Sequence, residues 1–218
     1  MKKVLCFLLA VMMIVGLCGC FGGNDADDAG GGNPTQPPKE PEFSLGKTDN
    51  NTYTNDFLGI GCTLPAGWAF YTDQQILELN NIVEDVLDEE IVDRLKDANI
   101  IYDMYAICQN TGSINVNLEK LDALQLVGLN IKQTLEAQIG SIKSAYQGMG
   151  YTDIDVNYQK VTVDGKEFDA LRIEAKIQGI DFYVITFAFR KQNYLANVTI
   201  SSLQTDETAT LMSYFTIE

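Results

Sequence analysis

The residues of this chain best equipped by type for chemistry are two cysteines, Cys62 and Cys108, and four carboxylates, Glu167, Asp169, Glu174 and Asp181, on neighbouring predicted strands. A thiol attacks as its thiolate, and a paired carboxyl group protonates a leaving group only where its surroundings raise its pKa. Histidine, the usual partner for such chemistry near neutral pH, is absent from all 218 residues. Ser-His-Asp and Cys-His catalysis are thereby excluded, as are zinc sites that depend on imidazole. For the cysteines the favoured expectation is two small core residues, with a Cys62–Cys108 disulfide as the alternative. The four acids read as exposed strand residues that keep sheet edges soluble. Trp68, Phe70, Tyr71, Tyr102 and Tyr105 have the faces to stack a sugar or peptide, but their alternation along strands favours packing.

The chain is strongly acidic, with a formal net charge of −15. Its basic residues are scattered singly, so the clustered Lys and Arg that counterion release requires are missing and nucleic acid is excluded as a partner. Broad adhesion to anionic lipid is disfavoured for the same reason. The length suits one domain and a tail.

Residues 1–20 carry a basic start at Lys2 and Lys3, an apolar run from Val4 to Val15, and small residues ending at a cysteine. This is the pattern of a signal peptide, too short for a comfortable membrane span. Its end, Leu17-Cys18-Gly19-Cys20, resembles the lipobox of bacterial lipoproteins, which implies cleavage before Cys20 and diacylation of its sulfur. Two acyl chains hold stably where one is marginal. The expected organisation is a signal peptide over 1–19, a lipid-anchored Gly, Asp and Pro-rich tether over 20–51, and a single domain over 52–218. Asp25, Asp27 and Gly30 echo a calcium loop, but Ala29 and Gln36 occupy ligand positions, so a solvated linker is expected there.

Within the domain, Ile60, Cys62 and Leu64 alternate as a half-buried strand, stopped by Pro65 and Gly67. Thr72 with Gln75 forms a capping box ahead of a helix carrying Ile76, Leu79, Val83, Val86, Ile91 and Leu95, with a break near Asp88. Glu84, Asp85, Asp88, Glu89, Glu90 and Asp93 fall on its wet face. Met104–Cys108 and Ile114–Leu118 flank Asn110-Thr111-Gly112 as a hairpin, and Asp122–Leu129 is ambiguous. Asn130 with Gln133 starts a second helix that Gly148 or Gly150 ends. A meander of strands follows, turning at Asp164-Gly165, Gly179 and Lys191-Gln192-Asn193. A closing helix after Thr205 presents Leu211, Met212 and Phe215 to a sheet face. The order predicts an α+β domain. Two sequons, at Asn50 and Asn197, read as incidental.

The segment Gly59-Ile60-Gly61-Cys62-Thr63-Leu64-Pro65-Ala66-Gly67-Trp68, the helix after it, the meander and the closing Ser213-Tyr214-Phe215 resemble the PsbP-like (Mog/PsbP) superfamily over about Thr52 to Glu218. The resemblance implies a central antiparallel β-sheet flanked by helices in an α/β/α layered sandwich. It carries over no catalytic residue, because the superfamily shares none, and the histidines of its plant photosystem members have no counterpart here. The leading expectation is a non-enzymatic binding or accessory module, held on the outer face of the cell membrane through Cys20 and serving an envelope protein or complex, with no cofactor. The alternative is a small-ligand carrier or sensor with a pocket between the sheet and the helix beginning near Asp73, for an apolar or cationic ligand. A wall-polymer hydrolase working through Asp169 and Glu174 ranks last.

Overall fold

The computed structural model describes residues 41–82, 95 and 98–218. Cys20, the calcium-like run and the acids between Glu84 and Asp93 lie outside them. Two antiparallel sheets form the body. The smaller contains β1 (Lys47–Asp49), β2 (Thr52–Asn55), β3 (Ile60–Thr63) and β11 (Phe215–Ile217), in that spatial order. The larger has seven strands: β4 (Ala69–Phe70), β5 (Ile100–Cys108), β6 (Gly112–Lys120), β7 (Tyr151–Val163), β8 (Lys166–Ile177), β9 (Ile180–Lys191) and β10 (Tyr194–Leu203). Their order in space is β4-β5-β6-β10-β9-β8-β7. The helices described from end to end are α1 (Asp73–Leu79), α2 (Ala123–Gly128), α3 (Ile131–Gly148) and α4 (Thr208–Met212).

Period-two alternation sends each large-sheet strand to two layers. Ala196, Val198 and Ile200 of β10 join Ile114, Val116 and Leu118 of β6 in a core shared with Tyr53, Phe57, Ile60, Cys62 and Leu64 of the small-sheet segment. On the opposite face, Leu171 and Ile173 of β8 and Phe182 and Val184 of β9 meet Leu135, Ile142 and Tyr146 of α3. Those three helical positions share one stripe, and burying each such side chain contributes about 1.5–3 kcal/mol. The Asn130 side chain caps α3 by accepting from Gln133 N at 3.1 Å.

The domain is α+β, but α1 stops at Leu79, with Asn81 at positive φ, where the expected helix ran on toward a break near Asp88. Its further positions Val83, Val86 and Ile91 lie outside the described residues, and three other differences stand out. First, among the described residues the core on the face opposite α3 is shared largely with the small sheet, so an α/β/α layered sandwich is not confirmed. Secondly, packing begins ahead of Thr52: β1 pairs with β2, and Phe43 stacks on Tyr194 with ring centroids 5.1 Å apart. Thirdly, Phe215 belongs to β11, where it pairs with Cys62, and the closing helix stops at Met212. The ambiguous Asp122–Leu129 stretch contains α2, capped reciprocally by Asp122 and Gln125.

Two glycines set opposite expectations. A Cβ on Gly112 would meet Ser201 O at 2.0 Å across the β6–β10 pair, whereas one on Gly140 of α3 meets nothing within 4 Å. Gly112→Ala is therefore expected to destabilise by about 1–3 kcal/mol through overpacking. Gly140→Ala should stabilise by about 0.5–1 kcal/mol through helix propensity. Urea unfolding of both variants against the parent chain checks the pair.

Candidate functional site

Strand β5 carries one residue more than β6 opposes. The register shifts between Tyr102 and Met104, leaving Asp103 as a bulged residue. The bulge aims its carboxylate at the small sheet, where it is 5% exposed. Asp103 Oδ1 accepts from Gly46 N at 2.7 Å, and Oδ2 accepts from Asn55 Nδ2 at 2.7 Å and from the Tyr53 hydroxyl. Asn55 is itself held, its Oδ1 accepting from Leu58 N at 2.7 Å. Gly46 must lack a side chain, since a Cβ there would stand 2.2 Å from the Tyr53 ring.

Burial pushes the Asp103 carboxyl above the ordinary carboxylate range, against the lowering pull of the bonds from Tyr53, Gly46 and Asn55. Burial, followed by the charge of Asp103, raises Tyr53 well above an ordinary phenol. Both groups are insulated from water, and the carboxylate is held by three donors.

Beside this cluster lies a cleft of about 570 Å³. Leu45–Thr48 forms one wall, Tyr71 with Asp73, Ile76 and Leu77 of the α1 segment forms the second, and Asp103–Tyr105 of β5 forms the third. Helix α1 is fixed by its capping box, Thr72 Oγ1 accepting from Gln75 N, and at its far end by Asn80. The Asn80 amide copies a strand edge, its Oδ1 accepting from Tyr102 N at 2.8 Å and its Nδ2 donating to Tyr102 O at 2.7 Å. Tyr71 N donates to Tyr105 O at 2.8 Å, and the two rings lie 4.5 Å apart, tilted by 60°. Burial raises the pKa of both phenols. The result is an apolar and aromatic chamber with a charge of each sign, Lys47 and Asp73, among its exposed lining residues. Its size falls within the range of small-molecule pockets.

The aromatic set of the sequence divides here. Tyr71 and Tyr105 line the cleft, while Trp68 and Phe70 pack against the core between the sheets. Cys62, in the small sheet, and Cys108, at the end of β5, are both free thiols, so the Cys62–Cys108 disulfide is not formed. Burial pushes the Cys62 thiol up to about 12, which makes it inert as a nucleophile near neutral pH. The four strand acids are not gathered. Glu167 pairs with Lys160, Asp169 accepts from the Tyr158 hydroxyl at 2.5 Å, Glu174 lies 3.3 Å from Arg172 Nε, and Asp181 lies 2.5 Å from Lys176. Asp169 and Glu174, five positions apart on one strand, point to opposite faces of the sheet. Asn197 is 1% exposed on β10, its amide donating to Asn117 Oδ1.

Sequence reasoning missed Asp103, Tyr53, Asn55 and Gly46. The available signal was an acid inside the apolar run Ile100–Cys108, where a lone carboxylate must find donors.

No protein-family model matches the chain, and no curated protein matches it, so the PsbP-like resemblance rests on the motif alone. Among solved structures, LpqN of Mycobacterium tuberculosis, described as involved in cell envelope biogenesis, is 14% identical, with 71% of this chain and 76% of LpqN covered and a TM-score of 0.38. A protein of Bacteroides thetaiotaomicron is 7% identical, covering 78% of this chain and 49% of its own length, with a TM-score of 0.40. This chain thus spans about half of that second protein. Neither likeness is close enough to carry an argument about function.

The Asp103 cluster predicts an unusual pH dependence. A carboxyl whose folded pKa is raised binds its proton more tightly in the native state, so its contribution is fully present below its ordinary pKa and is lost as pH rises through the raised one. Melts of the parent chain and Asp103→Asn from about pH 3 to pH 8 should show the parent losing stability relative to the variant as pH rises through that window. A constant difference, or one that grows with pH, contradicts the assignment.

Proposed function

We propose that this chain is an exported, membrane-anchored binding protein, tethered through lipid on Cys20, whose cleft takes a small, mostly apolar or aromatic ligand as an accessory to an envelope protein or complex. The observation that carries this reading is the cleft walled by Leu45–Thr48, α1 and β5. Apolar residues and two tyrosines supply the buried contact area, while Lys47 and Asp73 are placed to meet the ligand's polar end. Such a chamber favours amphipathic molecules with an amine or a hydrogen-bonding head.

Binding rather than catalysis is the preferred reading because Asp103, the buried acid in the cleft wall, is turned toward the small sheet and tied there by Gly46, Asn55 and Tyr53. Both general base and nucleophile need a free lone pair directed at the substrate. The strand acids of the hydrolase alternative are engaged with Lys160, Tyr158, Arg172 and Lys176. The anchor reading rests on the signal pattern and the Leu17–Cys20 tetrapeptide. Among the described residues no helix is long and apolar enough to cross a membrane.

The test is native mass spectrometry after gentle purification, followed by thermal shift across a panel of aromatic amines, short-chain acyl compounds and amphipathic alcohols. A true ligand at a hundredfold excess over its Kd should stabilise by about 2.7 kcal/mol, a Tm rise of roughly 5–10 °C for a chain of this size. Thr48→Trp, which fills the mouth from an exposed rim position, should abolish the shift. Bare protein in the mass spectrum, with no shift across the panel, would sink the proposal.

A further inference from the structure

Three large hydrophobic residues among those described stand out in solvent: Leu124 at 63% exposure, Val127 at 92% and Ile180 at 42%. The first two share one face of α2, three positions apart. Their neighbours Leu126 and Leu129 turn inward with Leu121 onto Ala188 and Leu195. Helix α2 therefore has an occupied inner face and a bare outer one. From Ala123 to Ile131 the chain carries no charged residue, although a fifth of the whole chain is charged.

The position of this face in the fold suggests what covers it. The turn between β9 and β10 holds two things side by side. Gln192 Nε2 donates to Pro41 O at 2.9 Å, fixing the point where the tether meets the domain. One residue on, Asn193 O accepts from Leu121 N at 2.8 Å, fixing the base of α2. Only twenty residues separate Cys20 from Pro41. A stretch of that length can span at most about 70 Å. The bare apolar face thus sits at the end of the domain where the chain leading back to Cys20 joins it.

We propose that α2 is a membrane foot, with Leu124 and Val127 entering the interfacial zone of the bilayer to which Cys20 tethers the chain. The inference rests on the lipid-anchor reading. Two side chains cannot bind a membrane from free solution, but a short tether supplies the effective concentration that lets a weak contact persist. The contact is apolar, so it does not depend on anionic lipid and is compatible with an acidic domain. It also gives the domain a fixed face toward the membrane, with the β8–β9 turn at Gln178-Gly179 directed away.

The test uses the full lipidated chain in phosphatidylcholine vesicles carrying a spin-labelled quencher lipid. Val127→Trp is compared with Ile180→Trp, an exposed apolar site at the opposite end of β9 from the foot, each read above the Trp68 background of the parent chain. The expected result is blue-shifted emission from Val127→Trp, quenched roughly twofold or more beyond that of Ile180→Trp. A chain that floats with the vesicles but shows equal quenching at both sites overturns the foot and leaves the anchor standing. A chain that does not float overturns both.

Discussion

A single carboxylate, buried where two sheets meet, sets the geometry on which the cleft depends. Asp103 is the extra residue of a β-bulge, and the bulge turns its side chain toward the small sheet. An ionised carboxylate in that position costs several kcal/mol of desolvation unless donors surround it. The chain meets the requirement with Tyr53 and Asn55 of β2 and with the amide of Gly46. Satisfying the charge therefore fixes the path of residues 44–55 against β5. The absent side chain of Gly46 is part of the same arrangement, since only glycine can bring its amide that near while the Tyr53 ring lies alongside.

From that clamp the cleft follows. Leu45–Thr48 becomes a wall because Gly46 is held and β1 pairs with β2, and α1 becomes the facing wall because Asn80 bonds both backbone groups of Tyr102 on the same strand. Elsewhere the acidity of the chain is managed locally. Exposed pairs such as Lys160–Glu167 and Lys176–Asp181 are screened by solvent and add little to stability. Arg172 differs, because it is only 13% exposed, meets Asp206 with two nitrogens, donates to Thr208 and lies over the Tyr183 ring. Partial burial acts to raise the pKa of Asp206, but the bonds from Arg172 and Thr208 hold it below the ordinary value. This arrangement ties the start of α4 to β8.

Long elements were readable because their period repeats. The meander from β7 to β10 alternates over ten or more residues per strand, and its Asp164-Gly165 turn has positive φ at both positions, as the dipeptide implies. Helix α3 announced itself through Asn130 and a regular apolar stripe. Of the short strands, β3 alternates through Ile60 and Cys62 on to Leu64, but β1, β2 and β11 carry no such signal. Lys47–Asp49 has no apolar residue and falls in the stretch read as polar tether, while Thr52–Asn55 reads TYTN, with Tyr53 its one apolar residue, too few to mark a strand at the start of the domain. Phe215 reads as the end of the closing helix because two alternating residues after a helical run, Phe215 and Ile217, are too few to reveal a change of period. At the site, a pocket against the helix starting near Asp73 was legible, as was the aromatic pair Tyr71 and Tyr105. The third wall was not, because it lies in residues assigned to the tether and is positioned by a long-range contact, Gly46 to Asp103, that no local pattern encodes.

The claim that Asp103 holds the leading strands against the large sheet is most directly tested by hydrogen exchange of the parent chain and Asp103→Asn, resolved by segment. The account predicts that residues 43–58 lose most of their protection in the variant while β8, β9 and β10 keep theirs, a local release of one cooperative unit. Unchanged protection over 43–58, or an equal loss across both sheets, would contradict it.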